Sequence, residues 1–137
     1  MSRILGIDPG DARFGLAVSD NSHTLASGYG FVLFKSYEDL VKKITEICTK
    51  ESIEEIVIGL PLNMNGSRGK AAARSEKLAE ILKAKTEYRV NLHDERLTTV
   101  EAARQIHASG KKVKKGKIDE VSATIILQAY LDGNKEK

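Results

Sequence analysis

The first fifteen residues, Met1-Ser-Arg-Ile-Leu-Gly-Ile-Asp-Pro-Gly-Asp-Ala-Arg-Phe-Gly15, restrict the fold more than any other stretch of this chain. Arg3 to Ile7 is nearly all apolar, as expected of a short strand buried on both faces of a sheet. It ends on Asp8, and Pro9-Gly10-Asp11 follows as turn chemistry. A second apolar run, Phe14 to Val18, begins three residues on, so the two strands close a hairpin around that turn. Asp8 is thereby fixed at the end of a core strand, where an unpaired charge is costly unless a metal ion or another partner meets it. The competing reading is that Asp8 only caps the turn through its own side chain.

The rest of the chain alternates between strand and helix patterns. Thr24 to Phe34 reads as a third strand, loosened by Gly28 and Gly30, which completes an antiparallel meander. Ser36, with Asp39 three residues on, is a capping box opening a helix whose stripe is Leu40, Val41, Ile44, Ile47 and Cys48. Ile53 to Leu60 is a fourth strand, and a polar loop from Asn63 to Gly69 leads into a helix from about Lys70 to Lys85. Arg89 to His93 is a fifth strand, followed by Asp94-Glu95-Arg96. Thr98 and Glu101 form a second capping box for a helix that stops at Gly110. The basic segment 111–117 reads as a flexible loop, and the last helix runs from about Ile118 to Leu131, with Ile118, Val121, Ser122, Ile125, Ile126 and Ala129 on one face. Residues 133–137 read as a frayed tail. Strands alternating with helices imply parallel crossovers, so the expectation is an α/β fold with a mixed sheet: a three-stranded meander plus parallel strands, flanked by helices, in one domain spanning 1–137.

Size and charge narrow the function classes. A chain of 137 residues suits one core, and no apolar stretch approaches the roughly 20 residues needed to cross a bilayer. The lone cysteine, Cys48, excludes an internal disulfide and any cysteine-cluster zinc site. These features point to a cytoplasmic protein without a membrane partner. Net charge is only +3, yet the segment 111–117 alone carries five lysines, so the remainder is net acidic. Lys111, Lys112, Lys114, Lys115 and Lys117 are thus either an electrostatic footprint for a phosphate backbone or a solvated loop.

Carboxylates are the candidate chemistry. In an α/β sheet, ligands collect beyond the carboxyl ends of parallel strands. If strands one, four and five are parallel, Asp8, Asp94 and Glu95 emerge on one edge. Asp119 is placed in the first turn of the last helix, where a carboxylate is also favoured by the helix dipole. Its neighbours Ser122 and Ala123 are small enough for that helix to press on the sheet edge. Three carboxylates without a cysteine or histidine cluster suit Mg²⁺ or Mn²⁺. Such ions can clamp a phosphodiester and activate water for in-line attack. The histidines have no metal-ligand spacing; His93 alone lies near the acids. The loop Gly66-Ser-Arg-Gly-Lys70 fails the P-loop pattern, with Met64 at the first glycine position and Ala71 after the lysine. Arg68 and Lys70, before a helix N-terminus, can still meet a phosphate.

Four segments occur here in order: Gly6-Ile-Asp-Pro-Gly10, Ile58-Gly-Leu-Pro-Leu-Asn-Met-Asn-Gly66, Asp94-Glu-Arg-Leu-Thr-Thr-Val-Glu-Ala102 and Lys117-Ile-Asp-Glu-Val-Ser-Ala123. This set strongly resembles the YqgF (RuvX) family of small bacterial proteins, described as Holliday junction resolvases and as pre-16S ribosomal RNA nucleases. The resemblance implies a ribonuclease H-like fold with Asp8, Glu95 and Asp119 as catalytic, metal-holding acids. Two departures stand out. Val121-Ser-Ala123 replaces the usual pair of adjacent alanines, and the fourth strand ends without the acid of classical junction resolvases.

By this resemblance the chain is a divalent-metal-dependent nuclease of structured nucleic acid, trimming the 5′ end of the 16S ribosomal RNA precursor with Mg²⁺ or Mn²⁺. Arg13, Arg68, Lys70, Arg96 and the 111–117 lysines would meet phosphates, with Arg96 also placed to pair Asp94 or Glu95. The alternatives are resolution of four-way DNA junctions, which requires a homodimer presenting two sites, and a non-catalytic module binding nucleic acid or a transcription or ribosome factor. Actin-like ATPases also open on a strand, an aspartate and a glycine turn, but 137 residues leave no room for their two domains.

Overall fold

The structure, a computed structural model, describes residues 2–11, 13–97 and 115–135. In chain order the elements are β1 (Arg3–Pro9), β2 (Phe14–Ser19), β3 (Ala26–Val32), α1 (Tyr37–Lys50), β4 (Ile53–Leu60), α2 (Lys70–Lys85), β5 (Arg89–Asp94) and a final helix, here α3 (Lys115–Lys135). The strands form one five-stranded sheet in the order β3-β2-β1-β4-β5. β1, β2 and β3 pair antiparallel, whereas β4 is parallel to both β1 and β5. This is the mixed sheet the sequence predicts, with β1 at its centre.

The alternation of side chains along β1 sorts the two cores. Leu5 and Ile7 pack with Leu40, Ile44 and Cys48 of α1 and Leu78 and Leu82 of α2. Ile4, on the other face, packs with Ala17, Val57 and the α3 residues Ala123, Ile126, Leu127 and Leu131. Period-two geometry puts Gly6 and Asp8 on that second face as well. Gly6 is glycine because α3 lies against it: a Cβ there would sit 2.8 Å from Cβ of Leu127. Each fully buried Leu or Ile side chain contributes about 1.5–3 kcal/mol, so both layers matter to stability.

α1 begins as its capping box predicts. The Ser36 hydroxyl accepts the Asp39 N–H at 3.1 Å, while the Asp39 carboxylate accepts the N–H of Lys35, one residue before the expected partner. The buried positions of α1 include Cys48, whose thiol is pushed up to about 12 by burial. Iodoacetamide at pH 8 should therefore leave Cys48 unmodified in the folded protein and alkylate it in urea; rapid native labelling would show that this helix does not pack as described.

Several boundaries differ from the sequence reading. β3 is shorter than Thr24 to Phe34, since Leu25 and Leu33 are exposed and outside the ladder. β5 runs one residue further, to Asp94. α3 starts at Lys115 and continues to Lys135, so part of the supposed basic loop (115–117) and part of the supposed tail (133–135) are helical. The ion pair from Lys117 Nζ to Glu120 Oε1, 2.8 Å, supports the early start, and one glycine at 133 costs an exposed helix only about 1 kcal/mol. The buried face is also rotated from the expected one. It centres on Ala123, Ile126 and Leu127, with Ser122 beside them, while Ile118, Val121, Ile125 and Ala129 are only partly covered. The second capping box, the helix ending at Gly110 and the tail residues 136–137 lie outside the described residues. Among those described, no helix is long and apolar enough to cross a membrane.

Candidate active site

The β1–β2 hairpin delivers the first acid. Asp8 pairs with Gly15 across the hairpin, and the Gly10 N–H closes the turn on the Arg13 carbonyl at 3.1 Å. Asp8 is 2% exposed, a carboxylate held by rigid backbone at the carboxyl end of the central strand. Ile7 is in register with Ile58, so the next residues, Asp8 and Gly59, are neighbours on adjacent parallel strands. Gly59 in turn pairs with His93 of β5.

Glu95 follows β5 in a single turn of 3-10 helix, Glu95–Leu97, and is buried. A Cβ on Gly59 would lie 2.9 Å from Glu95 Oε2 and 2.6 Å from Cδ1 of Ile126. The missing side chain is the space into which the Glu95 carboxylate reaches, toward the strand that carries Asp8.

Asp119 arrives from α3, and its placement corrects the sequence reading. Because α3 begins at Lys115, Asp119 stands in the second turn rather than the first, and no acid occupies the first turn. It is one turn before Ala123 on the buried face, so packing rather than the helix dipole places it. Gly15 permits the approach: a Cβ there would be 1.9 Å from the Asp119 backbone oxygen. Asp119 Oδ2 accepts a 2.8 Å bond from Arg13 Nε. Asp8 and Asp119 line one cleft of about 260 Å³, together with Gly10, Asp11, Pro61 and Arg74.

The structure thus brings the three expected acids to one end of the sheet. Asp8 and Asp119 share a cleft, and Glu95 lies against the neighbouring Gly59. Among the described residues, no group of three His, Cys, Asp or Glu side chains forms a ready-made metal cage. His93 sits beside Gly59 in the sheet. Burial holds its imidazole below the usual value against the opposing pull of Asp94, and its Nε2 is buried without a hydrogen-bond partner among the described residues.

The expected phosphate contacts are differently placed. Arg13 bonds Asp119 and stands 5.9 Å over the Phe31 ring. Arg68 pairs with Glu76 at 3.1 Å on the surface, and Lys70 is the exposed first residue of α2. Arg96 clasps Asp94, at 2.7 Å from Nη2, and its hydrogen bonds hold the Asp94 carboxyl below the usual range. Asp94, one of its two expected acidic partners, is bonded in this way. Lys117 is exposed and pairs with Glu120. Lys111, Lys112, Lys114 and the side chain of Lys115 lie outside the described residues.

Arg74 is the residue the sequence reading missed. It shares a helix face with Ala71 and Leu78, at i−3 and i+4, so a charge on an inward face of α2 was the available signal.

Comparison with known proteins identifies the family and the fold. The family model RuvX, described as Holliday junction resolvase, matches residues 2–133. A protein of Caldanaerobacter subterraneus subsp. tengcongensis named "Putative pre-16S rRNA nuclease" is 44% identical over 137 residues, covering 97% of this chain and 98% of its own. One from Ruminiclostridium cellulolyticum with the same name is 42% identical over 140 residues, covering 98% and 99%. Among solved structures, Thermus thermophilus RuvC in complex with a Holliday junction substrate matches with a TM-score of 0.60 at 12% identity, covering 100% of this chain and 98% of that one. The fowlpox virus Holliday junction resolvase matches at 0.56 and 12%, covering 96% and 99%. At such identity the likeness carries the fold alone, which is the ribonuclease H-like architecture expected from the sequence.

Proposed function

This chain belongs to the RuvX family, and on that footing we propose that it is a divalent-metal-dependent nuclease that processes the 5′ end of the 16S ribosomal RNA precursor in the cytoplasm. One observation supports the reading above all: Asp8 and Asp119, on opposite ends of the chain, line a single cleft with an arginine. The name shared by relatives at 44% and 42% identity directs the choice of substrate.

The donor set fits a hard cation. It offers carboxylate oxygens and no thiolate, as Mg²⁺ and Mn²⁺ prefer. Mg²⁺ is usually held by one or two carboxylates plus water and substrate phosphate, so a closed protein cage is not required. Asp8 and Asp119 would hold the ion, with Glu95 beside Gly59 as the third acid. A bound ion supplies Lewis-acid polarisation of the phosphoryl group and a water acidic enough to attack at neutral pH. The chain's own part is positional. Asp8 is fixed by the sheet, Asp119 by the packing of α3 and by Arg13, and Glu95 by the turn after β5. Arg68, Lys70, Arg96, Lys117 and the other 111–117 lysines would meet the nucleic-acid backbone, which fixes register without reading sequence.

The family description favours a second reading, resolution of four-way DNA junctions, which would need a homodimer with two sites. Purified protein with Mn²⁺ or Mg²⁺ should be offered a precursor ribosomal RNA and a four-way DNA junction side by side. Mature-length RNA ends, absent in EDTA and with Asp119→Asn, are expected. Symmetric nicking of the junction by a dimer, with the RNA intact, would select the second reading, and binding without cutting of either would leave a non-catalytic module.

A further inference from the structure

The cleft holds a cation as well as its acids. Arg74 projects from the first turns of α2 into the space lined by Asp8 and Asp119. Its side chain is 25% exposed, and its bonded partner among the described residues is Asp11, at 2.7 Å from Nη2. Asp11 lies in the hairpin turn with its own side chain 96% exposed. An ion pair to a carboxylate almost wholly in water is worth little and is screened by salt. Arg74 is therefore held at the cleft while most of its guanidinium fork remains uncommitted. A planar fork of N–H donors matches two oxygens of a phosphate, a geometry an ammonium cannot reproduce.

The helix carrying Arg74 adds a second attraction. α2 starts at Lys70 after the cap residue Gly69, which supplies no side-chain cap, and Ala71 of its first turn lines the same cleft. Uncapped N–H groups and the positive end of the helix dipole favour an anion there. A 16-residue helix has a full dipole to offer.

We propose that Arg74 is a substrate-positioning residue that takes a backbone phosphate of the nucleic acid in a two-pronged grip, and that Asp11 occupies it until the substrate displaces the carboxylate. The inference rests on the nucleic-acid reading above but not on cleavage. It assigns a phosphate subsite between the α2 N-terminus and the hairpin turn, next to the acids. Asp11 then works as a placeholder: it keeps Arg74 extended toward the cleft and repels phosphates that cannot also reach the arginine.

The test is binding without metal. A fluorescein-labelled RNA spanning the 5′ precursor segment of 16S rRNA is titrated in EDTA at several salt concentrations and followed by anisotropy. Arg74→Gln should weaken binding about tenfold and lower the salt slope by about one phosphate contact. Arg74→Lys keeps the charge and the slope but should lose roughly threefold in affinity with the fork. Asp11→Asn should tighten binding roughly two- to threefold, an effect that disappears when combined with Arg74→Gln. Wild-type affinity and slope in folded Arg74→Gln overturn the proposal; should that variant not fold, unchanged affinity in Arg74→Lys overturns it instead. A chain that binds through Arg74 yet cuts nothing with Mg²⁺ or Mn²⁺ retains this subsite and refutes the nuclease reading. Cutting with Arg74-independent binding does the reverse.

Discussion

Asp8→Asn is expected to lower the rate of metal-dependent cleavage at least about 10³-fold while leaving the fold intact, a loss of about 4 kcal/mol in transition-state stabilisation at 1.36 kcal/mol per factor of ten. Asparagine has nearly the shape of aspartate, so the hairpin and the Asp8–Gly15 pairing persist. The variant removes only the charge, and charge is what a divalent ion needs at a site that is 2% exposed. Stability separates this cause from misfolding. Asparagine fills the same volume, so the variant should still unfold in one cooperative transition in EDTA. Saturating Mn²⁺ should raise the wild-type melting temperature, because a ligand at 100 times its Kd adds about 2.7 kcal/mol to the folded state. That increment should be absent from Asp8→Asn. A variant that cuts normally, or one that gains the same metal-dependent stabilisation as wild type, would remove Asp8 from the site.

The contrast between what could and could not be read in the sequence follows from the range of the interactions. Ile53–Leu60 and Lys70–Lys85 are the bounds expected from periodicity, because an apolar run and a helical stripe are properties of neighbouring residues. The parallel arrangement of β1, β4 and β5 was likewise legible, since crossovers of helix length dictate it. The pairing of Arg13 with Asp119 was not. It joins residues 106 positions apart and exists only once α3 lies on the hairpin. Arg13 read by itself looks like a phosphate contact, and the helix that reassigns it is invisible from position 13. The start of α3 was misread for a related reason. Lysines 115 and 117 flank a glycine, which locally argues for a loop, yet packing of the helix body and the Lys117–Glu120 pair carry the helix through them. Asp119 thereby changes from a residue that the helix end would favour anyway into one that the tertiary fold must place.

Among the described glycines, Gly15→Ala should be the most damaging, lowering stability by about 3 kcal/mol and cleavage by more than about 100-fold. The added carbon would sit 1.9 Å from the Asp119 carbonyl oxygen, 2.3 Å from its carbonyl carbon and 3.0 Å from its Cα. All three are backbone atoms of a helix pinned to the sheet by Ala123, Ile126 and Leu127, so no side chain can swing aside. Either β2 buckles, which strains the pairing of Gly15 with both Asp8 and Phe31, or α3 lifts away from the sheet. Both routes displace Asp119 relative to Asp8, and a shift of about 1 Å is enough to cost 100-fold when groups must act together. Gly133→Ala is the matched control. It lies in the same helix, is exposed and has open space at its Cβ, so alanine there should stabilise by up to about 1 kcal/mol through its helix preference. Thermal melts of the two variants, with cleavage measured below both transitions, read the difference directly. If Gly15→Ala melts and cuts like the wild type, α3 does not press on the hairpin at Asp119, and the shared cleft of Asp8 and Asp119 is lost with that contact.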